Sequence, residues 1–368
     1  MTFLNLASTV ILFALSPTSK SIYHRSKTDS ALSSSVFPME ITRTPADKYG
    51  KLVDWLKTQD GKVNDKIEIK LSDRGGGFGA FVTAPVEENE LLFTVPRNAC
   101  VTLSDAINDS NCGEAFGTLI KAAGPGGNTV VMAGYLAKEY LLSKEEGTNK
   151  NDEESSLSKF GPYLATLPWE RGINNQEHVL FWNGDDVEKL LKGSLCYRES
   201  TELRAEVDLA IKVLNGIIGP SVLAARKSGE DEGFKFPWQS DVPKVTGIVD
   251  GVPEAVKGAF VCMLTRSFQD NELEANENLV PMLDMLQHAD EPNISHSMNE
   301  DDGTVEVRAK RAITAGEELL NQYRAETEET MPYHRFFSRF GFVPGISEPI
   351  ENLLEDRSSI FYPLKAEV

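Results

Sequence analysis

The chain has 368 residues, of which 56 are acidic and 37 basic, giving a net charge of −19. With 40% hydrophobic and 25% charged residues it reads as a globular protein of one large domain or two ordinary ones, which excludes a fibrous or intrinsically disordered chain. The acidity and the lack of a basic stripe argue against a nucleic-acid binder and favour a basic partner, such as a lysine-rich protein segment.

Residues 1–45 read as a targeting segment or a disordered tail. No charged side chain precedes Lys20, and Val10 to Leu15 form an apolar core. A serine-rich tract with Lys20, Arg25 and Lys27 follows. The apolar run is shorter than the roughly 20 residues of a transmembrane helix, so no stable membrane span is expected. An organelle, with a plastid favoured, is the expected destination; the secretory pathway and the cytoplasm are the alternatives. In a secretory lumen, Asn108-Asp109-Ser110 and Asn293-Ile294-Ser295 would be glycosylation sequons.

Tyr49, Leu52, Val53 and Leu56 recur at helical spacing. Ile67, Ile69 and Leu71 alternate with charged residues, as in a half-buried strand. Two further strand-like runs, Ala80 to Thr83 and Leu91 to Val95, lie on either side of Pro85. The pattern turns helical from Leu103 to Leu142, punctuated at Gly124-Pro125-Gly126-Gly127. Polar and acidic loops are expected at Thr148 to Ser158 and Lys227 to Gly233. Leu203, Val207, Ile211, Leu214 and Ile218 predict a helix that stops at Gly219-Pro220. Val256, Phe260, Met263 and Leu264 predict another. Val305, Val307 and Ala309 then alternate with charged residues as a strand. The organisation is an α+β fold with a split β-rich domain: residues 46–104, a helical insertion over 105–255, residues 256–344, and a short tail over 345–368.

The run Gly75-Gly76-Gly77-Phe78-Gly79-Ala80 loosely satisfies a dinucleotide fingerprint. That motif needs a helix directly after the glycines, and here a short β run ending at Pro85 follows. Two readings stay open: a turn that needs glycine for its own backbone, or a loop whose backbone approaches a cofactor closely. The cysteines, Cys100, Cys112, Cys196 and Cys262, are widely spaced. They fit buried thiols better than a zinc cluster or a disulfide scaffold.

After residue 260 come Thr265-Arg266-Ser267-Phe268, then Leu279-Val280-Pro281 leading to Asp284 and Gln287-His288. Gly316-Glu317-Glu318-Leu319 follows with Tyr323, and then Phe340-Gly341-Phe342. Together with Glu90-Leu91-Leu92, Val95-Pro96 and Gly161 to Pro168, these motifs resemble the SET-domain protein methyltransferases, in particular the Rubisco large-subunit lysine methyltransferase-like class. The resemblance runs from about Ile67 to Pro344 in the family's order.

The resemblance implies a cofactor, S-adenosylmethionine, contacted by Gly77, Phe78, Gly79, Arg266, Asp284, Gln287 and His288. Arg266 would meet the cofactor's carboxylate, Tyr323 would lie near the transferring methyl, and Phe340 and Phe342 would line the substrate channel. The implied activity is in-line methyl transfer to a protein lysine by a monomeric enzyme, without a metal. The alternatives are a histidine acceptor, or a catalytically weak SET-like module that binds a protein.

This chain departs from the family's pattern in several places. Gln287 stands where the family usually has asparagine, and Phe340 where it often has tyrosine. A further tyrosine is not evident in Asn293 to Thr304. Only 23 residues follow Gly345, so the family's helical docking domain is expected to be reduced.

Plainer roles are a surface ion pair for Arg266, core packing for His288 and Tyr323, and a metal shared by Asp284 and His288, which lack a third ligand. No serine-hydrolase elbow or phosphate-cradling loop is present. The acidic stretches Asp152-Glu153-Glu154, Glu230-Asp231-Glu232, Glu272 to Glu277 and Glu300-Asp301-Asp302 read as loops. The last two are expected to form an acidic rim beside the site.

Overall fold

Helix α1 (Ala46–Thr58) buries Tyr49, Leu52 and Leu56 on one stripe, as their spacing predicts. The computed structural model describes residues 46–74, 77–145, 158–228, 245, 247–269, 277–299, 301–323 and 332–342. The expected targeting segment, the short tail and the acidic stretches at 152–154 and 230–232 lie outside these.

Strand β1 (Ile67–Leu71) pairs antiparallel with β2 (Phe78–Val82), with Leu71 opposite Phe78. The glycine run thus joins two strands of a hairpin. A strand follows it where a dinucleotide site needs a helix. Strand β3 (Leu91–Val95) pairs antiparallel with β8 (Val305–Ala309), which pairs with β7 (Ile294–Met298). Chain from before and after the helical segment therefore shares one sheet. In β8 the inward Val305, Val307 and Ala309 are buried, as their alternation predicts.

Between β3 and β8 lie α2 (Leu103–Ile107), α3 (Gly113–Ala123), α4 (Gly127–Glu145), α5 (Gly161–Leu164), α6 (Gly184–Leu191), α7 (Leu195–Ser228) and α8 (Val252–Arg266). Helix α2 starts with a capping box between Thr102 and Asp105. Helix α4 is buried on nearly every side because it packs against both α7 and α8. A Cβ at Gly134 would stand 3.1 Å from the Phe116 ring and overlap Leu214, so glycine there sets the close approach of α7.

The predicted end at Gly219-Pro220 is corrected: α7 continues through Pro220 to Ser228. An internal proline costs about 3 kcal/mol through its missing donor and its ring. The stripe Val207, Ile211, Leu214, Ile218 and Val222 is buried throughout, and its burial offsets that cost. Residues Leu195–Arg226 are long and apolar enough to cross a membrane by length and composition. In this fold the helix packs against α4, α6, α8 and α9 (Tyr333–Phe340).

Cys100, Cys112, Cys196 and Cys262 are all buried and free, and burial pushes the thiols of Cys100, Cys196 and Cys262 up to about 12. The expected acidic rim is corrected at Asp301, Asp302 and Glu277; residues 270–276 and Glu300 lie outside the described residues. Asp301 and Asp302 sit in the turn between β7 and β8. At about 3.3 Å per strand residue, that turn is roughly 15 Å from the hairpin's other end at Asn293 and Lys310. Asp302 lines a separate polar recess of about 880 Å³ with Arg97, Asn98, Asp105 and Lys159. Glu277 is partly buried and hydrogen-bonded to Thr129 rather than facing a rim.

Candidate active site

The glycine turn is built against two other parts of the chain. Gly77 has φ +88°, and a Cβ there would lie 2.6 Å from the Asn174 carbonyl oxygen. A Cβ at Gly79 would overlap the carboxylate of Glu318, 3.1 Å from its Cδ. Between them, the Phe78 ring packs against Tyr49 of α1, the ring centres 4.6 Å apart and the planes tilted by 32°. The Phe78 carbonyl accepts a hydrogen bond from Gln287 Nε2 at 3.0 Å. Both glycines thus make room for protein groups packed behind the turn.

Asn174 belongs to the insertion. Its φ of 55° is left-handed, a conformation asparagine tolerates. Its Oδ1 accepts from Lys48 Nζ and from the Tyr49 hydroxyl, each at 3.2 Å, and its Nδ2 donates to the Thr166 carbonyl at 2.8 Å. Trp169 anchors the segment before it: the indole donates to the Leu164 carbonyl at 2.7 Å and stacks on Tyr140 of α4. Two residues after Asn174, Gln176 Nε2 donates to the Phe340 carbonyl at 3.2 Å. A Cβ at Gly341 would stand 3.1 Å from the Cα of His178. One loop of the insertion therefore touches both the glycine turn and the Phe340–Phe342 turn.

Arg266 ends α8 and points inward. Its Nη1 donates to the Asp284 carbonyl at 3.2 Å and lies 3.5 Å from the Asp284 carboxylate. The Tyr163 hydroxyl donates to the same carboxylate at 2.9 Å. The side chains of Arg266 and Asp284 are 12% and 3% exposed, which overturns the surface-ion-pair role. Burial lifts the Asp284 carboxyl above the usual carboxylate value, opposed by Arg266 and Tyr163. Burial, followed by the like charge of Arg266, pulls the Lys48 amine below the ordinary lysine value. Among the described residues no carboxylate pairs with Lys48.

Strand β6 (Gln287–His288) runs parallel to β9 (Leu320–Asn321). This ladder brings His288 Nδ1 to the Tyr323 backbone N–H, which donates to it at 3.3 Å. His288 Nε2 lies 3.5 Å from Asp290. The Tyr323 hydroxyl donates to the Leu286 carbonyl at 2.8 Å. Around the Tyr323 ring stand His288, Phe340 and Phe342, at 5.1, 5.4 and 6.4 Å. Phe336 of α9 backs Phe340 at 4.5 Å and Phe342 at 5.2 Å. Burial raises the Tyr323 phenol to about 12, with Arg266 opposing and Asp284 and Glu318 adding. It stays protonated at neutral pH and has no capacity there as a base. Asp284 and His288 turn to different partners, and no metal-binding group of three or more such side chains occurs among the described residues.

The comparisons with known proteins bear on this arrangement. The family model described as the SET domain matches residues 77–324, more than half of the chain. The chain belongs to the SET-domain family. N-lysine methyltransferase setd6 of Danio rerio is 23% identical over 318 residues, covering 83% of this chain and 58% of that protein. N-lysine methyltransferase SETD6 of Mus musculus is 22% identical over 325 residues, covering 85% and 57%. The SET-domain chain thus spans somewhat over half the length of these relatives. Among solved structures, the SET domain of LSMT bound to lysine and AdoHcy matches with a TM-score of 0.56 at 14% identity, covering 82% of this chain and 58% of that one. Rubisco LSMT bound to AdoMet matches with a TM-score of 0.56 at 15% identity, covering 81% and 57%.

Every site residue expected from the SET resemblance falls in this one region. Sequence reasoning missed Lys48, Tyr49, Asn174 and Glu318. It also missed Asn293, whose amide accepts from the Leu320 N–H at 2.7 Å and donates to the Glu318 carbonyl at 2.8 Å. The one local signal was Gly172-Ile173-Asn174-Asn175, a turn-type run in which asparagine can go left-handed.

Proposed function

We propose that this SET-domain chain is a protein N-methyltransferase that uses S-adenosylmethionine and acts on the side-chain amine of a protein lysine. The observation that carries this reading is the pair of cations, Lys48 and Arg266, beside the glycine turn and the Tyr323 aromatic group. Arg266 has Asp284 as partner, whereas among the described residues no carboxylate pairs with Lys48. An amino-acid carboxylate fits that imbalance, so Lys48 and Arg266 would hold the methionine end of the cofactor. The bound cofactor supplies an electrophilic methyl group on a sulfonium sulfur.

The chain's own residues do the rest. A free lysine amine has a pKa of about 10.4 and must lose its proton before it can attack. The aromatic walls of Tyr323, Phe336, Phe340 and Phe342 exclude water and favour the neutral amine. The Tyr323 proton is committed to the Leu286 carbonyl, so its oxygen offers lone pairs to the N–H groups of the incoming amine. The lysine gives up its proton to solvent before its amine enters, and that contact then orients the nitrogen. Holding amine and methyl in line supplies the proximity gain. The relatives described as N-lysine methyltransferases support this reading.

The protein substrate is proposed to present its lysine in a basic segment. The net charge supports this. The enzyme is proposed to act as a monomer in an organelle, with a plastid favoured. Asn293 is 1% exposed and its amide is fully engaged, which removes one of the two sequons as a lumenal glycosylation site. The test is transfer of a labelled methyl group to proteins of the native compartment, followed by mass spectrometry. A mass gain of one or more methyl groups on a lysine is expected. Label on carboxylates, or none with any extract, would contradict the reading.

A further inference from the structure

The carboxylate of Glu318 occupies an unusual place. It lies two residues before β9, on the segment that leads to Tyr323, yet its side chain crosses to the other half of the split domain. One oxygen, Oε2, is 3.6 Å from Arg74 Nε, and the carboxylate accepts a hydrogen bond from Ser72. Ser72 and Arg74 begin the glycine turn: the Ser72 N–H donates to the Gly77 carbonyl at 2.8 Å, and the Arg74 N–H donates to the Ser72 hydroxyl at 3.1 Å. The other oxygen, Oε1, is buried against Gly79 and has no hydrogen-bond donor among the described residues. The Glu318 side chain is 9% exposed, and burial lifts its carboxyl above the ordinary value. Its backbone is fixed too, by a bridge to Phe81 and by the Asn293 amide.

We propose that Glu318 is a positioning residue whose carboxylate latches the glycine turn to the segment that leads to Tyr323, and that position 79 is glycine in order to admit it. The proposal rests on the cofactor reading given above. It assigns Gly79 a job that a cofactor-facing glycine would not have. An alanine at 79 needs no backbone shift, because the atom it meets is the far end of a side chain. It forces the carboxylate away from Ser72 and Arg74. Gly79→Ala and Glu318→Ala then damage the same contact, and the second change adds nothing to the first.

The experiment is calorimetric titration of S-adenosylmethionine into the full chain and its variants, with a thermal melt of each. Glu318→Ala is expected to raise the Kd at least tenfold, Gly79→Ala by a similar factor, and the double variant by no more than either alone. Glu318→Gln keeps an acceptor of the same size and is expected to bind within threefold of the wild type. A double variant whose loss is the product of the two single losses would overturn the proposal, because Gly79 would then serve the ligand. So would a Glu318→Gln variant as weak as Glu318→Ala. If the wild type itself shows no heat, the cofactor reading fails, and the latch is read from the melts alone. There the two single variants should lower Tm without adding, and fully additive shifts would overturn it.

Discussion

The side-chain amide of Gln287 donates to the carbonyl of Phe78 across 3.0 Å, joining segments 209 positions apart in the chain. The longer side chain at a position where asparagine is usual in the family thus reaches the glycine turn. A neutral hydrogen bond of this kind contributes about 1 kcal/mol, or roughly fivefold in an equilibrium. Gln287→Asn shortens the reach by one methylene. It is expected to raise the Kd for S-adenosylmethionine roughly fivefold, measured by calorimetry, and to lower the melting temperature by about 2–4 °C.

Lys48 and Arg266 separate stability from binding. Arg266→Ala leaves the Asp284 carboxylate buried with only Tyr163 beside it, and breaking a buried pair costs about 3–5 kcal/mol. Chemical denaturation should show that loss. Lys48 is half-buried and its hydrogen-bond partner among the described residues is the neutral Asn174, so Lys48→Met should change stability little. It should still weaken cofactor binding by roughly tenfold, the worth of a charge-assisted hydrogen bond. Equal stability losses in the two variants would contradict the assigned roles.

Tyr323 is expected to orient the amine without accepting its proton. With the phenol raised to about 12, Tyr323→Phe should lower kcat by up to about 100-fold, the scale of a misplaced reactant. The pH–rate profile from pH 7 to 10 should keep its shape, because the titrating group there is the substrate amine. A lost alkaline limb in the variant would show that the phenol titrates in the reaction.

The site motifs at 265–268, 284–288, 316–323 and 340–342 were legible because each is a short run with its own pattern. Their supports were not. Lys48 and Tyr49 sit on an ordinary amphipathic helix, and nothing local marks which exposed turn of α1 meets Asn174. Glu318 was read only as part of a motif, because its partners Ser72 and Arg74 lie in the other half of the domain. The acidic turn at Asp301-Asp302 was misplaced for a related reason: it is close in sequence to the site, but a hairpin carries it to the far end of β7 and β8. Pro220 was read as a stop because proline is strong local punctuation, while the buried stripe that overrides it depends on α4 and α8.

His178 makes the Phe340–Phe342 turn sensitive to acid. It is fully buried, its Nδ1 accepts from the Leu180 N–H at 3.2 Å, and it lies beneath Gly341. Burial pulls its pKa down to about 4, opposed by the Ser338 and Arg339 backbones. The unfolded chain binds a proton near pH 6.5 that the folded chain refuses until about pH 4. Stability from this group is therefore complete above about pH 6.5 and falls between there and pH 4, by up to about 3 kcal/mol. Denaturation at pH 7 and pH 4.5 should show that loss in the wild type and a clearly smaller one in His178→Gln.

The central claim is that Lys48, Arg266 and the turn at Gly77–Gly79 form a seat for S-adenosylmethionine. Calorimetric titration of S-adenosylmethionine into the full chain, beside Lys48→Met and Gln287→Asn, tests it most directly. Saturable binding at one site per chain is expected, weakened roughly tenfold and fivefold in the two variants. Absence of heat at millimolar cofactor, or binding that neither substitution changes, would contradict it.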